Sequence, residues 1–178
     1  MQTARDLFLH ELQDIYDGEQ KLVKALGEQS EESSRPELQK AFASHRAQTE
    51  NQVERLRQVF EELDESPEET DCKGIKGLIE EHEAFKEEDP SEELLDVFNV
   101  GAAIKVESYE MNAYESLIKL GRELGLKKAV NLLNQNLKEE QQTLKKMLTF
   151  SNKFKPSELG IEEEEREARP RRRARRAA

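Results

Sequence analysis

Tryptophan is absent from this 178-residue chain, cysteine occurs once, and only 8 glycines and 5 prolines punctuate it. Cys72 therefore has no partner in the chain for a disulfide or a Cys-x-x-Cys pair, which excludes a disulfide scaffold and thiolate zinc. So few turn formers cannot serve an all-β sandwich, which needs one roughly every ten residues. No apolar run approaches the ~18 residues of a membrane span. The opening MQTARDLFLHELQD carries acids where a secretory leader would be apolar. A cytoplasmic protein with no membrane segment is expected. Basic charge is also scarce over most of the chain: residues 1–154 hold 20 Lys/Arg against 33 Asp/Glu, and residues 155–178 hold 8 against 6. An acidic body repels phosphate backbones and anionic lipid and attracts cations and basic partners.

What is present is helical periodicity. With 35% hydrophobic residues, a core closes only if the apolar positions form narrow stripes. Steps of three and four trace such a stripe from about Thr3 to about Gln29 through Phe8, Leu12, Ile15, Leu22 and Leu26. Ser34 and Pro36 then signal a helix start, and a second stripe runs through Leu38, Phe42, His45, Thr49, Gln52/Val53, Leu56 and Phe60 to about Leu63. A shorter helix over Cys72 to about Glu88 follows a loop containing Pro67, and Asp89-Pro90-Ser91 closes it with a new N-cap. The third long helix, Glu92 to about Leu124, is expected to end at Gly121 and Gly125; the fourth runs from about Leu126 to Phe154 through Val130, Leu133, Leu137, Leu144 and Met147. Short links after the first and third long helices make antiparallel hairpins, whereas the long link after the second can cross the whole molecule. The expected fold is therefore all-α, a ferritin-like four-helix bundle over residues 1–154, with one long crossover carrying a short fifth helix.

Carboxylates interrupt the stripes. Glu19 falls between Ile15 and Leu22, and Glu140 between Leu137 and Leu144; Glu107 and Glu110 form an E-x-x-E pair on one face. An ionised carboxylate inside a bundle loses hydration worth several kcal/mol unless a cation, a proton or a partner replaces it. Folding each hairpin about its link puts Glu19 near residue 47 and Glu110 opposite residue 140, all near mid-bundle. Glu19, Glu107, Glu110 and Glu140 are thus candidate metal ligands, with His45 as the imidazole within reach, either as a ligand or as a hydrogen-bonded core histidine. Hard oxygen donors with one imidazole suit iron or manganese. His10 and His82, set among charges, read as solvated. Tyr109, Tyr114, Phe42 and Phe60 read as core filler, and Cys72 as an inert helix-start residue.

The segments LFLHELQDIYDGEQKLVKAL, SHRAQTENQVERLRQVFEEL, CKGIKGLIEE, KVESYEMNAYESL and LKEEQQTLKKM together resemble the YciF-type stress-protein family, over about residues 3–154. That resemblance implies a rubrerythrin-like bundle, a homodimer, a dimetal centre and a role in stress tolerance. By position it implies Glu19, Glu107, Glu110 and Glu140 as ligands, with Glu139 an exposed neighbour. The chain departs from the ferritin-like Glu-x-x-His pattern: Leu7, Phe42 and Ile79 precede its three histidines by three residues, Thr143 follows Glu140, and position 48 is Gln48. The site is carboxylate-rich and short of imidazole, which weighs against oxygen or peroxide activation more than against metal binding.

Three functions are then expected candidates. One is a ferritin-like metal-binding stress protein, with weak oxidase or peroxidase chemistry as an activity its dimetal centre could support. The second is a metal-free helical-bundle dimer with a structural or partner-binding role. The third, an iron-storage cage, requires terminal elements this sequence does not show. The Arg-rich end of the tail, residues 155–178, is expected to be disordered beyond about 160 and to touch nucleic acid at most weakly.

Overall fold

The computed structural model describes residues 1–161; the expectations for the Arg-rich end fall on residues outside these. Five α-helices form: α1 (Ala4–Glu32), α2 (Pro36–Glu62), α3 (Lys73–Lys86), α4 (Glu92–Glu123) and α5 (Lys127–Ser151), followed by a short 3-10 turn at Pro156–Leu159. Their local causes are visible at the ends. Thr3 and Asp6 make a reciprocal capping box on α1, Pro36 occupies the first turn of α2, and the Ser91 hydroxyl accepts from Leu94 N–H at the start of α4. Asp64 and Asp89 close α2 and α3 with positive φ, and Gly125, at φ 73°, makes the turn into α5.

Two details differ from the sequence reading. Ser34 does not cap α2, whose N-cap is Arg35 without a side-chain bond. Its backbone N–H and hydroxyl instead donate to the carboxylate of Asp96 on α4, at 2.9 and 2.7 Å. Gly121 does not end α4 but lies inside it, where a Cβ would come within 2.9 Å of Val130 and 3.3 Å of Phe8. Its smallness lets α1 and α5 approach α4 closely.

The direction of each helix follows from two apolar clusters. One gathers Phe8 near the start of α1, Phe60 near the end of α2, Leu117 near the end of α4 and Val130 near the start of α5. The other gathers Leu26, Leu38, Val100 and Met147 from the opposite ends of the same helices. So α1 and α5 run one way, α2 and α4 the other, and the segment carrying α3 crosses the length of the bundle: the expected one-crossover arrangement. Between the clusters lies a buried layer of different chemistry, containing Glu19, His45, Thr49, Gln52, Glu107, Glu110, Asn136, Glu140 and Thr143.

Candidate metal centre

Each helix contributes to this layer from the face its apolar stripe already turns inward. Glu19 lies between Ile15 and Leu22 on α1, both buried, so the stripe that packs those residues also carries the carboxylate inside. The spacing of three places Glu107 and Glu110 on one face of α4 with Tyr114 a turn beyond; Glu140 enters from α5, and His45 and Gln52 from α2. All four glutamates are at most 1% exposed and His45 is 4% exposed, so bulk water cannot solvate them.

The donors fall into two groups that share a member. Ligand atoms of His45, Glu107 and Glu140 lie within 4.8 Å of one another, and so do those of Glu19, Glu110 and Glu140. His45 Nε2 is 3.3 Å from Glu107 Oε1 and 4.0 Å from Glu140 Oε2. All five residues expected at mid-bundle are thus brought together, but Glu19 is grouped with the far side of the layer rather than with His45. Glu50 is about half exposed and pairs with Arg46, and Glu139 pairs with Arg55 at 2.7 Å towards the surface.

Sequence reasoning missed a set of neutral residues that hold these carboxylates in place. The Tyr114 hydroxyl donates to Glu19 Oε1, and Asn136 Nδ2 donates to the Tyr114 oxygen at 2.9 Å. Arg55 in turn donates to Asn136 Oδ1 and binds Glu139 through both of its terminal nitrogens. Gln52 Nε2 donates to Glu140 Oε1. Tyr114, expected as filler, is a buried hydrogen-bond donor; the only signal for it was its place one turn beyond the E-x-x-E pair. His82, expected as solvated, is buried on α3, with Nε2 at 2.6 Å from Asn99 Oδ1 and 3.0 Å from Glu32 Oε1. The acids around it in sequence face outward while its own side chain turns inward.

These hydrogen bonds occupy one oxygen of Glu19 and one of Glu140 and leave the second oxygen of each without a partner. Glu19 Oε2, Glu107 Oε1 and Oε2, Glu110 Oε2, Glu140 Oε2 and His45 Nδ1 are buried and make no hydrogen bond. Buried polar atoms are nearly always satisfied, and either protons shared between these neighbouring carboxyls or a bound cation would complete the set. Without a cation, burial and then the neighbouring charge of Glu140 push Glu19 up to about 8, and burial raises Glu140 to about 7. Burial raises Glu107 and Glu110 well above the usual carboxylate range, helped by the charges of Glu140 and Glu19 respectively. Burial, with the nearby charge of Lys146, lowers His45 to about 4, which keeps its imidazole neutral and its lone pair available. Oxygen donors, one neutral imidazole and no thiolate fit iron or manganese as a donor set.

The class is therefore an all-helical, one-crossover bundle with a buried carboxylate–imidazole layer. Residues 3–159 match the family described as a domain of unknown function, DUF892, and the chain belongs to that family. It is 38% identical to Protein YciF of Escherichia coli K12 over 144 residues, covering 80% of this chain and 87% of that protein. The crystal structure of the E. coli stress protein YciF superposes with a TM-score of 0.82 at 33% identity, covering 91% of this chain and all of that one. YcfI from Rhodopseudomonas palustris gives a TM-score of 0.81 at 39% identity, over 84% of this chain and 95% of that one. No described helix is long and apolar enough to cross a membrane.

Proposed function

We propose that this YciF-like protein is a metal-binding stress protein that holds two divalent transition-metal ions, iron or manganese, in the layer between its apolar clusters. The observation that carries the reading is the convergence of unpartnered, buried carboxylate oxygens from α1, α4 and α5 beside His45 Nε2 of α2. His45, Glu107 and Glu140 would hold one ion and Glu19, Glu110 and Glu140 the other, with Glu140 common to both. Bound there, such ions supply Lewis-acid and one-electron chemistry.

The chain's own residues prepare the place. Tyr114 and Gln52 each fix one carboxylate oxygen, so that Glu19 and Glu140 present the other in a set orientation. The two apolar clusters exclude water on either side, and His45 stays unprotonated at neutral pH.

Metal analysis of protein purified without chelator tests the assignment. Wild type should carry up to two ions per chain, and a Glu19→Ala, Glu140→Ala double variant should lose them. Unchanged metal content in that variant would reject these ligands. Metal-free wild type whose melting temperature ignores added Mn²⁺ or Fe²⁺ would favour the second reading, a metal-free bundle whose interior glutamates stay protonated; their upward-shifted pKa values support that alternative.

A further inference from the structure

Charge is divided unevenly along the chain. Residues 1–118 hold 12 Lys/Arg against 30 Asp/Glu, whereas residues 119–154 hold 8 against 3. Most of that basic excess lies on α5. At about 100° per residue, Lys127, Asn131, Lys138, Gln142, Lys145 and Thr149 share one face of the helix, and all six are exposed. Lys128 and Lys146 lie at its edge, also exposed. The two carboxylates of α5 do not reach this face: Glu140 is buried in the layer, and Glu139 is held by Arg55. On other helices Lys21, Lys86 and Lys105 have carboxylate partners, Asp17, Glu32 and Glu81. Lys128 reaches Glu62 of α2, but Lys127, Lys138, Lys145 and Lys146 pair with no carboxylate among the described residues.

We propose that this face of α5 binds the phosphate backbone of a nucleic acid. The inference is independent of the metal reading. Chemistry is the first argument: the Lys, Asn, Gln and Thr side chains of the face all donate to phosphate oxygens, and no acid interrupts them. Shape is the second. The stripe is straight and about 33 Å long from Lys127 to Thr149, at 1.5 Å per residue, which suits an extended polyanion with regularly repeating charges. Third, the lysines bring the helix no stability of their own. Lys127 and Lys128 stand in the first turn with no acid beside them, at the positive end of the helix dipole, where a cation is unfavourable and an anion is welcome. A lipid surface fits less well, because the exposed apolar residue of α5, Leu148, lies to the side of the stripe and nothing along it enters acyl chains. The acidic remainder of the chain opposes approach from its own side, but its field is screened beyond about 8 Å at physiological salt, and the stripe is met from the α5 side. Beyond α5 the sequence adds 7 arginines of the same sign in residues 166–176.

Titration of a fluorescently labelled DNA duplex of about 24 base pairs with the full chain tests this. Wild type should bind at about 50 mM salt, with log K falling against log salt at a slope of about −3.6 or steeper, about −0.9 for each of the four unpaired lysines. The triple variant Lys127→Gln, Lys138→Gln, Lys145→Gln should flatten that slope by about 2.7 and weaken binding at low salt roughly thirtyfold or more. These positions are exposed and away from the layer, so its melting temperature should match wild type. A second full-chain variant, Arg171→Gln, Arg172→Gln, Arg173→Gln, should bind more weakly but still depend on the α5 lysines. No binding by wild type, or a lysine variant with wild-type affinity and slope, would overturn the proposal. Complete loss in the arginine variant would overturn it too, by assigning the binding to the tail. Tighter association of wild type with phosphatidylserine vesicles than with the duplex would give the face to a membrane, and a changed oligomer mass of the lysine variant in sedimentation would give it to a second copy; either result overturns the nucleic-acid assignment.

Discussion

Asp96 and Glu107 stand about three turns apart on α4, and both are 0% exposed. The protein treats them in opposite ways. Asp96 receives the backbone N–H and hydroxyl of Ser34, and Arg35 Nε lies 3.6 Å away. Glu107 receives no hydrogen bond on either oxygen, and no Lys or Arg is paired with it among the described residues. The first carboxylate is a joint: it pins the α1–α2 turn to α4. The second is left open although the same helix could have placed an apolar residue there at less cost. The chain completes the first buried carboxylate with its own groups; under the proposed function the second is completed by a metal ion, and under the metal-free reading by a proton.

The contrast breaks most visibly by deletion. Asp96→Ala should cost about 3 kcal/mol in chemical denaturation, because two hydrogen bonds to a buried charge are lost and the turn loses its anchor. That loss should be the same with and without Mn²⁺. Glu107→Leu should do the reverse: metal-free protein should be unchanged or more stable by about 1–2 kcal/mol, as buried ionisable groups replaced by apolar ones often are. The variant should also lose much of the stabilisation that metal gives wild type, about 2.7 kcal/mol at 100 times the dissociation constant. If both variants lost stability equally and irrespective of metal, Glu107 would be as structural as Asp96.

The pH dependence of metal-free protein sharpens the same distinction. Glu19 and Glu140 hold protons in the folded state to about pH 8 and 7, while the unfolded carboxyls release them near 4.5. Between those limits the folded state binds more protons, so stability falls as pH rises. His45, lowered to about 4, acts oppositely below 6.5: the unfolded imidazole binds the extra proton, so stability rises with pH there. Above pH 6.5 the glutamates act together with His82, whose burial is outweighed by its bonds to Glu32 and Asn99, which raise it above 6.5, so its proton too is held more tightly in the folded state. The melting temperature of chelated protein should therefore decline from pH 6.5 to 8, and saturating Mn²⁺ should remove the part of the decline that the layer contributes, because the ion replaces those protons, leaving the part due to His82. A decline that Mn²⁺ does not change would mean that the layer contributes nothing to it.

How much of this could be read before folding depends on whether a residue advertises itself by breaking a pattern. Glu19 and Glu140 were legible because a carboxylate in an otherwise apolar stripe is costly, and the E-x-x-E spacing fixed a common face for Glu107 and Glu110. The helices and their one-crossover order were legible from long stripes and unequal links. Tyr114, Gln52 and Asn136 obey their patterns: an aromatic or amide on the flank of a stripe is compatible with plain packing, and only the approach of α2, α4 and α5 shows what each one holds. His82 was misread for the same reason in reverse, since acidic neighbours in sequence say nothing about the α1–α4 groove its own side chain enters. Ser34 looked like a cap because the residue that takes it away, Asp96, lies on the far side of the crossover.

The smallest effect comes from the neutral residues themselves. Tyr114→Phe removes the hydroxyl that holds Glu19 Oε1 and orphans Asn136 Nδ2, which keeps only a 3.4 Å contact to Gln52 O. The ring still fills its place, so metal-free stability should fall by only about 1 kcal/mol, the net worth of a buried neutral hydrogen bond. Glu19 should be affected more than the fold is, because its free oxygen is oriented through the bonded one. Metal affinity in the variant should drop by about tenfold or more, the cost found for partners that orient a ligand, with both ions still bound at saturation. Affinity unchanged in Tyr114→Phe would show that α1 positions Glu19 through backbone packing alone. A loss in Tyr114→Phe exceeding that in Glu19→Gln would mean that the phenol, and not the carboxylate, faces the ion.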